Sequence, residues 1–102
     1  MDVKFKKNGN ALFVYLYGEL DEYTVGECRK YLDNLFQQNY NVNKVIFNFS
    51  NLSFMDSTGI GMLIGRYKKL KQFGISCYIE NAGIDLEKII EISGLYKIMP
   101  KY

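Results

Sequence analysis

Apolar residues recur along this chain with two alternating periods, and the switches between them mark the elements. Val3 and Phe5 alternate with Lys4 and Lys6, the period-two pattern of a half-buried strand whose lysines guard a sheet edge. Asn8-Gly9-Asn10 then supplies residues that tolerate positive φ in a tight hairpin turn. From Ala11 to Tyr17 every residue is apolar or aromatic, which predicts a strand covered on both faces in the middle of a sheet. Gly18-Glu19-Leu20-Asp21 leaves that strand as a loop. The period changes at Thr24-Val25-Gly26-Glu27, a capping-box sequence. Beyond it Cys28, Tyr31, Leu32, Leu35 and Phe36 trace the inner face of a first helix, which Asn39 to Asn43 end.

A strand–helix–strand unit follows. Residues 44–49 form its first strand. Asp56 and Ser57 then stand where a helix begins, because both side chains can accept bonds from the free N–H groups of a first turn. Ile60, Leu63, Ile64, Tyr67 and Leu70 recur at helical spacing and predict its buried face. Gly74 turns the chain into a strand from Ile75 to Glu80. Asp85 opens a short helix with Leu86, Ile89 and Ile90 inward, closed by Gly94, and Tyr96 to Met99 reads as a last short strand. The fold class is α/β: a mixed β-sheet opened by a hairpin, with helices packed against it.

The far side of the central helix is unusual. On this reading it carries Thr58, Gly61, Met62, Gly65 and Lys69, where an outward face ordinarily carries long polar side chains. Glycine inside a helix costs roughly 1 kcal/mol relative to alanine. Two of them a turn apart, with an adaptable methionine between, suit a surface that another protein approaches closely. The plainer alternative is that the glycines let the helix sit close to its own sheet.

Composition narrows the functional classes. A chain of 102 residues with 48% hydrophobic residues and a single proline is one folded domain. A net charge of +2 is too small to imply nucleic acid, and the basic cluster Arg66, Lys68, Lys69 and Lys71 complements the dipole at the end of its helix, as a solvated face. Cys28 and Cys77 have no metal-ligand or redox spacing and no histidine to complete a zinc site, so buried free thiols in a reducing compartment are expected. No apolar run approaches the ~18 residues of a membrane helix and no secretory leader is visible, so the expected setting is the cytoplasm, without a membrane partner.

No enzyme is expected. With no histidine the commonest general base is missing, and nothing recognisable activates Ser57 as a nucleophile. Glu19 and Asp21 read as a solvated acidic loop before they read as a catalytic pair. Gly59, Gly61 and Gly65 miss the dinucleotide fingerprint, since the third glycine comes one residue late and all three lie inside the helix. Ser57, at the start of a helix, is either a simple cap or a hydroxyl reachable by another protein's active site.

Phe54-Met55-Asp56-Ser57-Thr58-Gly59-Ile60-Gly61, continuing through Gly65-Arg66-Tyr67-Lys68, resembles the signature of anti-sigma factor antagonists of the STAS fold, the sporulation type above all. Gly18-Glu19-Leu20-Asp21 and Ser93-Gly94-Leu95-Tyr96-Lys97-Ile98 extend the likeness, in the same order, over nearly the whole chain. The resemblance implies one STAS domain over residues 1–102, without the further helix into which that family usually continues. It implies phosphorylation on Ser57 by an anti-sigma factor that is itself a serine kinase, reversal by a phosphoprotein phosphatase, release of a sporulation sigma factor by the unmodified form, and no cofactor. Carried over residue by residue, the partner-binding set is Glu19, Asp21, Met55, Asp56, Thr58, Gly59, Gly61, Met62, Gly65 and Arg66. Three alternatives stay open: a module that holds a nucleotide phosphate at the helix N-terminus, a general-stress antagonist, and a purely structural interaction domain.

Overall fold

The computed structural model describes residues 1–102. Strands β1 (Asp2–Asn8) and β2 (Ala11–Leu20) form the opening hairpin, turned at Gly9 with φ 62°. Helix α1 (Val25–Gln37) leads to β3 (Lys44–Asn48), and β4 (Leu52–Met55) precedes α2 (Ser57–Gln72). Strand β5 (Ser76–Glu80) is followed by α3 (Ile84–Ser93) and one turn of helix, α4 (Leu95–Ile98). The sheet runs β1-β2-β3-β5, antiparallel in the hairpin and parallel elsewhere, with β4 pairing in parallel to the far end of β2.

One face of this sheet makes the core. The register sets Leu12, Val45 and Cys77 in one row and Val14, Phe47 and Ile79 in the next, all buried. Leu32, Leu35 and Phe36 of α1, and Leu63 and Leu70 of α2, close over them. The other face differs from the sequence reading of β2. Phe13, Tyr15 and Tyr17 are only half-buried and lie outside the core cluster, so the strand is covered fully on one side, not two. The last residue, Tyr102, packs its ring edge-on against Phe13 at 5.9 Å and near Tyr78 at 5.3 Å, which flank the buried Ile46. On β1, Phe5 is 50% exposed, more open than a half-buried strand predicts.

Other elements depart from expectation for local reasons. Gly18-Glu19-Leu20 is not a loop but the end of β2, displaced by a bulge between Gly18 (φ 101°) and Glu19 that swings the strand from β3 onto β4. Thr24 makes no capping-box bond; its hydroxyl donates backwards to the Glu19 carbonyl at 2.9 Å. Tyr31 is 38% exposed and Ile89 only half-buried. Where Tyr96 to Met99 reads as a strand, the chain forms the helical turn Leu95–Ile98 instead. Gly94 takes the left-handed conformation (φ 77°) and sends Leu95 and Met99, one turn apart, into the core, with Met99 N–H donating to the Leu95 carbonyl. A single bridge of Lys101 to Ile79 is the only extended pairing beyond it.

Candidate functional site

The bulge at Gly18 places the end of β2 beside the start of α2, and from that contact the site is built. Asp56 N–H donates to the Leu20 carbonyl at 3.2 Å, which anchors the chain before the helix begins. Asp56 is extended (φ −106°, ψ −175°) and its Oδ1 accepts from Gly59 N–H at 3.0 Å. It is therefore the N-cap, worth about 1 kcal/mol. Capping thus falls to Asp56, and Ser57 is the first residue inside the helix, exposed to solvent with Thr58.

Gly59 is buried because α2 starts almost on top of β2. A Cβ there would lie 2.6 Å from the Leu20 carbonyl oxygen and 2.9 Å from Leu20 Cγ, so no side chain fits. Met55, at the end of β4, is 1% exposed and pairs with Leu20. Asp-Ser-Thr-Gly thus divides its work: the aspartate caps, the glycine admits the close approach, and the two hydroxyls are left outside.

The roll of α2 corrects the sequence reading. Its buried row is Gly59, Met62, Leu63, Arg66 and Leu70, while Ile60, Ile64 and Tyr67 are only half-buried. Met62, expected outside, is 6% exposed, so it forms no bare docking surface. Arg66, expected on a solvated face, is 7% exposed, with its Nε 3.3 Å from Asp33 Oδ1 on α1. Burial likewise keeps the side chain of Met55, and any atom added at Gly59, away from a partner. Gly61 and Gly65 are not pressed against the sheet: nothing lies within 4 Å of a Cβ built on either. The positions that do face outward on one side of the helix are Ser57, Gly61 and Lys68, at i, i+4 and i+11, with Ile64 between them half-buried against the core.

The acidic loop behaves unequally. Asp21 Oδ1 accepts from Tyr23 N–H at 2.9 Å and Thr24 N–H at 3.1 Å, so it fixes the turn into α1. Glu19 is exposed on β2 opposite Phe54, itself 44% exposed. Tyr23, 87% exposed, stands in the same turn. Both thiols are buried and free; burial pushes Cys28 up to about 11 and Cys77 to about 12, so they stay protonated and inert at neutral pH. No helix is long and apolar enough to cross a membrane.

Against known proteins, residues 2–102 match the family model of the STAS domain. The chain is 32% identical over 102 residues to an anti-sigma F factor antagonist of Paenibacillus polymyxa, covering 100% of this chain and 86% of that one. It is 37% identical over 82 residues to an anti-sigma-B factor antagonist of Staphylococcus aureus, covering 80% of this chain and 74% of that one. Among solved structures it is similar to the anti-sigma factor antagonist SpoIIAA in its unphosphorylated form, with TM-score 0.80, 28% identity, and coverage of 99% of this chain and 88% of that one.

Proposed function

The chain belongs to the STAS-domain family, and from that premise we propose that it is an anti-sigma factor antagonist switched by phosphorylation of Ser57. Its relatives with that role are regulators, not enzymes. Unmodified, the chain docks the Ser57 end of α2 and the Glu19 edge of β2 onto an anti-sigma factor serine kinase and thereby frees a sigma factor. The Ser57 hydroxyl oxygen then attacks the γ-phosphorus of ATP, its proton leaves, and ADP departs; a phosphatase later hydrolyses the ester. The observation that carries this reading is the placement of Ser57: exposed, at the mouth of α2, and relieved of capping by Asp56.

The physical consequence of the phosphate is local. It adds about −1.5 to −2 charges at a helix N-terminus that tolerates anions, so the fold itself has no reason to rearrange. The new charge sits at the head of the outward row, where burying it uncompensated under a partner costs several kcal/mol. At about 1.4 kcal/mol per tenfold, the complex weakens by orders of magnitude. Gly61 within that row and Gly65 beside it leave room for a close approach, and the exposed Thr58 adjoins Ser57. Met62, Gly59, Met55 and Arg66 act beneath it, as the support that holds α2 in place.

The test is incubation with the kinase and ATP, with the modified residue located by mass spectrometry. Wild type gains one phosphate on Ser57 and Ser57→Ala gains none; phosphate arriving normally on Ser57→Ala sinks the assignment. Which sigma factor is released is a second question. The sporulation type agrees with the 32% identity to the sigma F antagonist over the whole of this chain, and the general-stress type with 32% over 97% of this chain and 37% over 80% of it to sigma-B antagonists. Measuring binding to both anti-sigma factors separates the two.

A further inference from the structure

The sheet face turned away from α1 and α2 carries an aromatic layer. Phe13, Tyr15 and Tyr17 alternate along β2 with the buried Leu12, Val14 and Leu16, and the register sets Tyr78 of β5 beyond Phe13, across Ile46. All four rings are half-buried, and none belongs to the core cluster or packs against it. Strands that pair in parallel are ordinarily covered on both faces, so a half-open aromatic face here is a place for an occupant.

Unpaired cations stand beside those rings. Lys4 and Lys6 of β1 lie opposite Tyr15 and Phe13, and Lys44 of β3 opens the same face. None of the three has a carboxylate at ion-pair distance, unlike Lys101, which Glu87 holds. Lys4 Nζ lies 5.3 Å over the Tyr17 ring and Lys44 Nζ 5.2 Å over that of Tyr102. A ring takes one side of an ammonium and leaves it donors for an anion. Tyr15 has neither a ring nor an ammonium against it. The acids of the face, Asp2 and Glu80, sit at its margins, and Glu80 already accepts from Asn48 Nδ2 at 2.8 Å.

A second copy on this face would set lysine against lysine, and an acidic polypeptide would answer the lysines while leaving the rings unused. A single-stranded nucleic acid answers both, since any base stacks on an aromatic ring and its phosphate meets the cation alongside. The spacing agrees. Alternate residues of a strand stand about 6.7 Å apart, a distance that one nucleotide of an unstacked strand spans. We infer that the open face binds single-stranded nucleic acid without sequence preference, with bases on Tyr15 and Phe13 and phosphates along Lys4 and Lys6. The net charge of +2 describes the whole chain, whereas these cations are gathered on one face. That face lies across the sheet from α2, so it stays open whether or not Ser57 carries a phosphate.

The experiment is fluorescence anisotropy of labelled oligothymidylate and oligouridylate decamers with the whole chain, against an abasic decamer and polyglutamate as competitors. At low salt the base-bearing decamers saturate at about 100 µM or below; saturation by either supports the inference, and the stronger names the sugar. The abasic decamer and polyglutamate bind about tenfold more weakly. The logarithm of the constant falls with that of salt at a slope of about −1.4, for two phosphates neutralised, and Lys4→Gln halves that slope. Tyr15→Leu weakens binding about tenfold and Tyr15→Phe retains it; Lys4→Gln, on an exposed edge, tests the same face without touching the rings. Amide shifts fall within 2–8 and 11–17. The inference is overturned by the absence of saturable binding, by equal binding of the abasic decamer or polyglutamate, by an unchanged salt slope in Lys4→Gln, by an unchanged constant in a folded Tyr15→Leu, or by shifts confined to the Ser57 end of α2.

Discussion

Gly59 and Gly61 stand two residues apart in α2, yet their surroundings have nothing in common. A Cβ on Gly59 runs into the Leu20 carbonyl at 2.6 Å, whereas a Cβ on Gly61 meets nothing within 4 Å. The same contrast divides the whole helix. Its inward row, from Gly59 through Met62 and Arg66 to Leu70, is fixed by β2, the sheet and α1. Its exposed positions, Ser57, Gly61 and Lys68, make no such contact, and only the half-buried Ile64 between them leans on the core. Under the proposed function, stability resides in one row and recognition in the other, and substitutions should sort accordingly.

The sharpest test of that division is Met62→Ala. At 6% exposure and within the core cluster, its truncation should cost about 3 kcal/mol in urea unfolding. A cost below about 0.5 kcal/mol would return Met62 to the outer surface. Gly59→Ala comes next. Overpacking against backbone costs about 3 kcal/mol, and replacing a helical glycine returns about 1 kcal/mol. The net loss is about 2 kcal/mol, and a variant as stable as wild type would mean that the Leu20 contact yields without strain.

What the sequence revealed follows the range of the forces involved. The start of α2 was legible because capping is local: Asp56 bonds a backbone N–H three residues on. The turns at Gly9, Gly74 and Gly94 were legible for the same reason, since each takes the positive φ that its turn requires. The roll of α2 was not, because Ile60, Ile64 and Tyr67 are as hydrophobic as Leu63 and only tertiary packing decides which of them the core takes. Arg66 went inside for a reason on another helix, Asp33. The turn α4 read as a strand, since four residues show too little of either period to separate them. The strand β4 has Leu52 and Met55 buried with Ser53 and Phe54 exposed, a pattern without alternation. Within the site, Asp56, Ser57, Thr58 and Gly61 kept the positions expected of them, while Asp21 turned out to hold its own loop.

The outward row offers the smaller effects. Gly61→Ala fills open space on an exposed helix face, so it should stabilise the fold by up to about 1 kcal/mol. The same methyl group should weaken the complex with the anti-sigma factor, measured by calorimetry. A gain in stability together with unchanged binding would remove Gly61 from the docking surface.

Ser57→Ala should change folding least of all. Asp56 already accepts the bond that a capping serine would take, the Ser57 side chain is in solvent, and alanine suits the first turn of a helix. Urea unfolding should therefore shift by no more than about 0.5 kcal/mol, while kinase-dependent phosphate incorporation disappears. A loss of about 1 kcal/mol or more would be the mark of a cap. In that case the hydroxyl serves the helix, Asp56 does not suffice, and the separation of α2 into a structural row and a recognition row fails at its first residue.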